Sequence, residues 1–137
     1  MAGKSIRQKL IERLDAVFSM YVRLRDCNEH GIFRCISCYR DFPFDEADCG
    51  HYIPRQHMSL RFDERNCNAQ CRGCNQYAAG NLENYRLGLV AKYGESVVLS
   101  LESKKHEVNK LSEYELRDMI SHYRKEVKRL KKEKRLS

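Results

Sequence analysis

The chain has 137 residues and a formal net charge of +7, with 42% hydrophobic and 33% charged residues. It is too apolar for a disordered chain and too polar for a membrane protein, and no run nears the roughly 20 apolar residues that a bilayer span needs. The length suits a single domain, 1–137, with a modest core. The first residues alternate charge with apolar groups and hold no continuous apolar segment, which argues against a secretory leader and for an intracellular protein. Residues 4–26 carry Ile6, Leu10, Leu14, Val17, Tyr21 and Leu24, a three- and four-residue rhythm that predicts an amphipathic N-terminal helix. Residues 27–34 read as a loop. Residues 35–80 contain both prolines, Pro43 and Pro54, and little helical periodicity. They predict short strands and loops organised by metal, closing with a short helix after Cys74. Leu82, Tyr85 and Leu89 restore a helical rhythm that ends at Tyr93-Gly94, and a weaker helical stretch runs from Glu95 to about Lys105. Ser112 and Glu115 form a capping box that opens a last helix with Leu116, Met119, Ile120, Tyr123, Val127 and Leu130 on one stripe. Residues 82–137 thus read as C-terminal helices with a basic tail.

The charge is uneven. Between Arg124 and Arg135 lie eight basic residues and two acidic ones, nearly the whole excess. A concentrated basic terminus suits a polyanion, nucleic acid being the common one, or else a solvated helix end. Lys128, Arg129, Lys131 and Lys132 are its candidate phosphate contacts. Arg55, Arg61, Arg72 and Arg86 are candidates nearer the middle, each equally readable as a surface ion-pair partner.

Cysteine is the second anomaly, at seven residues. An odd count in an intracellular chain argues against a disulfide framework. Cys35-Ile-Ser-Cys38 and Cys71-Arg-Gly-Cys74 can each place two thiolates on one tight turn, and together they complete a tetrahedral set around structural Zn²⁺. Cys67 and Cys49 are rival ligands, since both also have chelating spacings. They read better as small buried apolar residues.

Between the knuckles stand Gly50-His51-Tyr52-Ile53-Pro54 and Asn66, with Asn75 directly after Cys74. A His-x-x-Pro, a central Asn and a terminal Asn framed by two Cys-x-x-Cys pairs resemble the HNH, or ββα-metal, nuclease centre. More narrowly, Gly50-His51-Tyr52, the run from Leu60 to Asn66, Gln70-Cys71, Cys74-Asn75-Gln76, Gly80-Asn81-Leu82 and Tyr85-Arg86-Leu87 resemble the NinG/Rap family of lambdoid-phage recombination proteins. The resemblance is close over residues 35–95. It implies an α+β fold, mostly helical, with a small zinc-stabilised HNH-like centre flanked by helices. It also implies a metal-dependent endonuclease that leaves a 5′-phosphate and acts on branched recombination DNA such as a Holliday junction, in the cytoplasm or nucleoid of a bacterial host. Asn66 would pin the loop joining two strands.

Elementary chemistry agrees with that site. Phosphodiester hydrolysis needs a base for water and a cation at the phosphate. His51 is the candidate base, and Asp48 and Asn75 are the candidate oxygen ligands for Mg²⁺ or Mn²⁺. Many HNH sites carry Asp or His just before the catalytic His, where this chain has Gly50. Asp48 projects to the same side of an extended strand as residue 50 and can serve instead, with His57 as its substitute. The bland readings are a packed structural His51 and an Asn75 that only caps a helix. His30, His106 and His122 read as surface residues. The competing function is a non-catalytic zinc module that binds branched or single-stranded DNA, and a third reading is a protein-interaction module. A symmetric junction has two strands to cut, so a homodimer is expected to suit it, its face on the Leu116–Leu130 stripe or the N-terminal helix.

Overall fold

A computed structural model describes residues 3–136. Ser5 caps the first helix, α1 (Ile6–Asp26), in a reciprocal box with Gln8. The stripe Leu10, Leu14, Phe18, Tyr21 and Leu24 is buried along it. The last helix, α5 (Glu113–Glu133), opens on the expected Ser112–Glu115 box. It buries Leu116, Ile120, Tyr123 and Leu130 in one cluster with the α1 stripe. The two helices run side by side in the same direction: Arg7 donates to the Leu111 carbonyl at one end, and Lys134 reaches the Leu24 carbonyl at the other. The two stripes expected to offer a dimer face therefore cover each other. Phe18 joins them through edge-on contacts with Tyr123 at 5.0 Å and Phe62 at 5.7 Å between ring centroids.

The middle carries more sheet than expected. Residues 27–34 are not wholly loop, because Ile32–Arg34 forms β1 and pairs antiparallel with β2 (Asp41–Pro43). A 3₁₀ turn at Phe44–Glu46 leads into β3 (Ala47–His51), which pairs antiparallel with β4 (Cys67–Cys71), Asp48 opposite Gln70 and His51 opposite Cys67. The β3–β4 connection holds a single helical turn, α2 (Met58–Arg61). Asn66 ties that connection down as expected. It is fully buried, accepts from the Ile53 amide at 2.9 Å, and donates to the carbonyls of Ile53 and Leu60.

The short helix expected after Cys74 is instead a π turn, Gly73–Tyr77, that encloses Cys74. Its wider loop suits a turn whose thiolate must face inward toward the other three cysteines. Next come α3 (Leu82–Tyr93) and α4 (Glu95–Ser103), split at Gly94, whose φ of +94° ends one helix and starts the next. They pack Tyr85, Leu89, Val98 and Leu101 on Ile36, Ile53 and Leu60. Gly88 lets α3 approach the first knuckle closely, since a Cβ there would strike the Ile36 carbonyl. Mixed helix and small sheets, with helix the larger share, agree with the expected class. No helix among the described residues is long and apolar enough to cross a membrane.

Candidate metal centre and cleft

The Sγ atoms of Cys35, Cys38, Cys71 and Cys74 all lie within 4.8 Å of one another, with Cys38 and Cys71 at 3.9 Å. A tetrahedral zinc with Zn–S bonds of about 2.3 Å has S···S edges of about 3.8 Å, so the four thiols fit it. Cys35 and Cys38 sit on the turn between β1 and β2. Tyr39 takes a left-handed φ of +59° there, and the Cys35 amide bonds the Arg40 carbonyl to close the turn. Backbone amides point at the sulfurs: Cys71 N–H to Cys35 Sγ at 3.3 Å and Cys74 N–H to Cys71 Sγ at 3.4 Å. The Asn81 amide reaches Cys74 Sγ at 3.4 Å. Such donors favour the thiolate form that a metal requires, although burial still holds the Cys35, Cys71 and Cys74 thiols above their ordinary value. Burial pushes the Cys38 thiol up, but the backbone and guanidinium of Arg40, with Cys35 and Cys71, outweigh it and bring it down to about 7. Cys27 has a separate task. Its thiol donates to the Leu24 carbonyl at 3.3 Å where α1 ends.

A cleft of about 470 Å³ runs beside β3. Cys49, His51, Tyr52, Pro54 and Arg55 line it on one side, Asn75, Ala79, Gly80 and Leu82 on another, and Asp15 and Phe18 of α1 beneath. His51 and Asn75 thus share one cavity. Asp48 lies behind Asn75, accepting from its amide at 3.1 Å and from Gln76 at 2.9 Å. The β3 alternation puts Asp48 on the face of Gly50 and away from His51. His57 stands at the start of α2 with its ring 5.7 Å from that of His106 and does not line the cleft. Asn75 lies inside the π turn and caps no helix.

His51 Nε2 lies 3.1 Å from the Arg61 carbonyl oxygen. A carbonyl only accepts, so Nε2 carries the proton and Nδ1 keeps its lone pair. Burial holds the His51 pKa below its ordinary value, more strongly than that hydrogen bond raises it.

Gln70 was absent from the sequence-based site. It is fully buried, and its amide nitrogen donates to Ser37 Oγ at 2.9 Å and the Gly80 carbonyl at 2.6 Å. Its Oε1 is the one buried side-chain polar atom left without a partner among the described residues. A Cβ on Gly50 would run into that oxygen, so Gln70 occupies the space that a side chain before His51 would take. Asp15 was also missed, standing beside the buried stripe of α1 and pairing with Arg61. Nothing in the sequence alone marks Gln70, since its position depends on the β3–β4 register.

The candidate arginines divide. Arg61 is committed to Asp15, and Arg86 grips Glu102 through both carboxylate oxygens. Arg72 donates to the Asp45 carbonyl at 2.6 Å and stands 3.7 Å from Asp48. Arg55 lines the cleft with its side chain 61% exposed and Asp15 3.8 Å away. In the tail, Arg129 pairs with Glu126 and Glu133, while Lys128 and Lys132 are exposed and Lys131 half-buried. A further basic groove of about 380 Å³ lies between α1 and α5, lined by Arg13, Arg117, Arg124 and Lys125.

Knuckles, sheet and helices define a small α+β protein with a candidate tetrathiolate metal centre beside a His-Asn cleft. The model of the NinG family, described as Bacteriophage Lambda NinG protein, matches residues 2–133, and the chain belongs to that family. It is 32% identical over 126 residues to Protein ninG of Escherichia phage 933W, covering 91% of this chain and 60% of that relative. Protein ninG of Salmonella phage P22 is likewise 32% identical, and that of Escherichia phage lambda 31%, each covering 91% of this chain and 59% of the relative. The chain therefore spans about 60% of the length of these relatives. No solved structure matches.

Proposed function

We propose that the protein is a metal-dependent endonuclease for branched DNA, with an HNH-like centre in which His51 activates the attacking water. The observation that carries this reading is His51 and Asn75 facing one cleft, the His51 tautomer set by the Arg61 carbonyl. His51 Nδ1 takes a proton from water, the resulting hydroxide attacks phosphorus, and the bond to the 3′ oxygen breaks to leave a 5′-phosphate. Asp48 and Asn75 would hold Mg²⁺ or Mn²⁺ through oxygens, Asn75 after its amide turns over from the orientation that donates to Asp48. The unpartnered Gln70 Oε1 adds an oxygen where the residue before His51 would project. When bound, the cation supplies charge neutralisation on the phosphate and the departing oxygen. Arg55 at the cleft, with Lys128, Lys131, Lys132 and the α1–α5 basic groove, offers cations to the DNA backbone, so affinity should fall steeply with salt. Branched substrate, phage recombination and the bacterial interior as setting rest on the family resemblance.

The test is nicking of linear, forked and four-way DNA with and without Mg²⁺. Replacing His51 by Ala should reduce nicking at least about 100-fold, the usual contribution of a general base, while junction binding persists. Undiminished cleavage by His51→Ala removes His51 as the base. Binding without any wild-type cleavage favours the accessory reading, a zinc module that holds branched DNA.

A further inference from the structure

Cys49 and His51 project from the same face of β3, two residues apart, and Cys67 stands opposite His51 in the ladder to β4. The alternation of strand side chains therefore gathers all three on one face. Their two Sγ atoms and a His51 ring nitrogen lie within 4.8 Å of one another. We propose that Cys49, His51 and Cys67 form a second metal site, distinct from the four-cysteine centre, for a thiophilic divalent cation such as Zn²⁺.

The donor set and its surroundings both point that way. Two thiolates and one imidazole suit zinc, and with bonds of about 2.3 Å to sulfur and 2.0 Å to nitrogen the donors need to stand about 3.5–3.8 Å apart. Small side-chain rotations from the present spacing supply that. Cys67 is fully buried at the back, whereas Cys49 and His51 line the cleft. A bound ion would thus keep three protein ligands and one coordination position open to the cavity, the pattern of a reactive zinc and not of a closed structural one. Nε2–H of the His51 ring is held by the Arg61 carbonyl at 3.1 Å, which leaves the Nδ1 lone pair as the nitrogen donor for a metal. The Cys67 thiol points to the same carbonyl at 3.6 Å. On binding, the cation replaces the protons of both thiols, which leave to solvent, so the two sulfurs donate as thiolates. The inference rests on this ligand geometry and not on the nuclease reading. If His51 is the base, an ion here takes the lone pair that water needs, and occupancy and nicking exclude each other.

Cobalt(II) tests it. Wild-type protein brought to one zinc per chain by elemental analysis, held at the four-cysteine centre, is titrated with Co²⁺ under a non-thiol reductant, and the ligand-field and sulfur-to-cobalt absorbance is followed. Zinc outcompetes cobalt at the tetrathiolate, so the bands report the new site. The expected result is one further equivalent in wild type, lost in both Cys49→Ser and His51→Ala while elemental analysis still finds the zinc. Wild-type protein that develops no cobalt–thiolate bands overturns the proposal, as do bands of wild-type intensity in either variant. Cobalt absorbance reads the site whether or not DNA is cut, so its failure is separate from failure of the junction assay.

Discussion

Gly50 owes its identity to a neighbour on the facing strand. Its backbone is ordinary strand, but a Cβ would meet the Oε1, Cδ and Cβ of Gln70, and Gln70 is held on its other side by Ser37 and Gly80. Placing an acidic residue here by Gly50→Asp therefore overpacks a filled space and adds a buried charge. Urea denaturation should show a loss of about 1–3 kcal/mol, and adding Gln70→Ala should recover part of it in a double-mutant cycle. Strict additivity of the two changes would refute the steric explanation. The same pair shows what could be read beforehand. His51, Asn75 and the knuckle cysteines follow from spacing, because adjacent residues on a turn or strand carry their geometry with them. Gln70, Asp15 and the Arg61 carbonyl meet the site only through register, the fold of the β3–β4 connection and helix docking, across 10 to 46 residues of chain, and no local pattern encodes that.

At the scale of elements, the basic tail splits into two jobs. Lys134 Nζ donates to the carbonyls of Leu24, Arg25 and Cys27 at 2.7, 2.9 and 2.6 Å. The last carbonyls of α1 have no partner within the helix, and a cation there also opposes the negative end of its dipole. Lys134 is thus a bolt between the ends of α1 and α5, whereas Lys132 is exposed to solvent. Lys134→Ala should cost about 1.5–3 kcal/mol in unfolding free energy, the range for hydrogen bonds to a charged group. Lys132→Ala should stay within about 0.5 kcal/mol yet lower the salt slope of DNA binding by about 1. Exchange of these two effects would reverse the assignment. Charge counting could not separate the two lysines, since both belong to one run of basic residues. The long helices and both capping boxes were legible because a 3.6-residue stripe and its cap are local. The three-residue strands β1 and β2 were not, being shorter than any period that alternation can establish, nor was the parallel α1–α5 pairing, which joins the two ends of the chain.

Across the whole molecule, three clusters of buried side chains meet with unequal resources. The α1–α5 cluster is built from large aliphatic and aromatic residues, and so is the α3–α4 cluster. The third consists of Cys27, Phe33, Cys35, Ala47, Ala69, Cys71 and Cys74, small groups apart from a single aromatic ring. Its sheets are two-stranded, and such pairs are marginal in water without further support. Metal at the four cysteines is the natural source of that support. A structural zinc contributes on the order of 10 kcal/mol to folding, against a total of about 5–15 kcal/mol for an ordinary domain. Elemental analysis of protein purified without added metal should therefore find zinc at the tetrathiolate. Chelation, or Cys38→Ser, should abolish the cooperative thermal transition followed by aromatic near-ultraviolet signal. Much of the far-ultraviolet helix signal should survive, because α1 and α5 bury their stripes on each other without help from the knuckles. A chelated, zinc-free protein that melts at the wild-type temperature would mean that the thiols pack as neutral small residues and that the centre is not what holds the middle of this fold together.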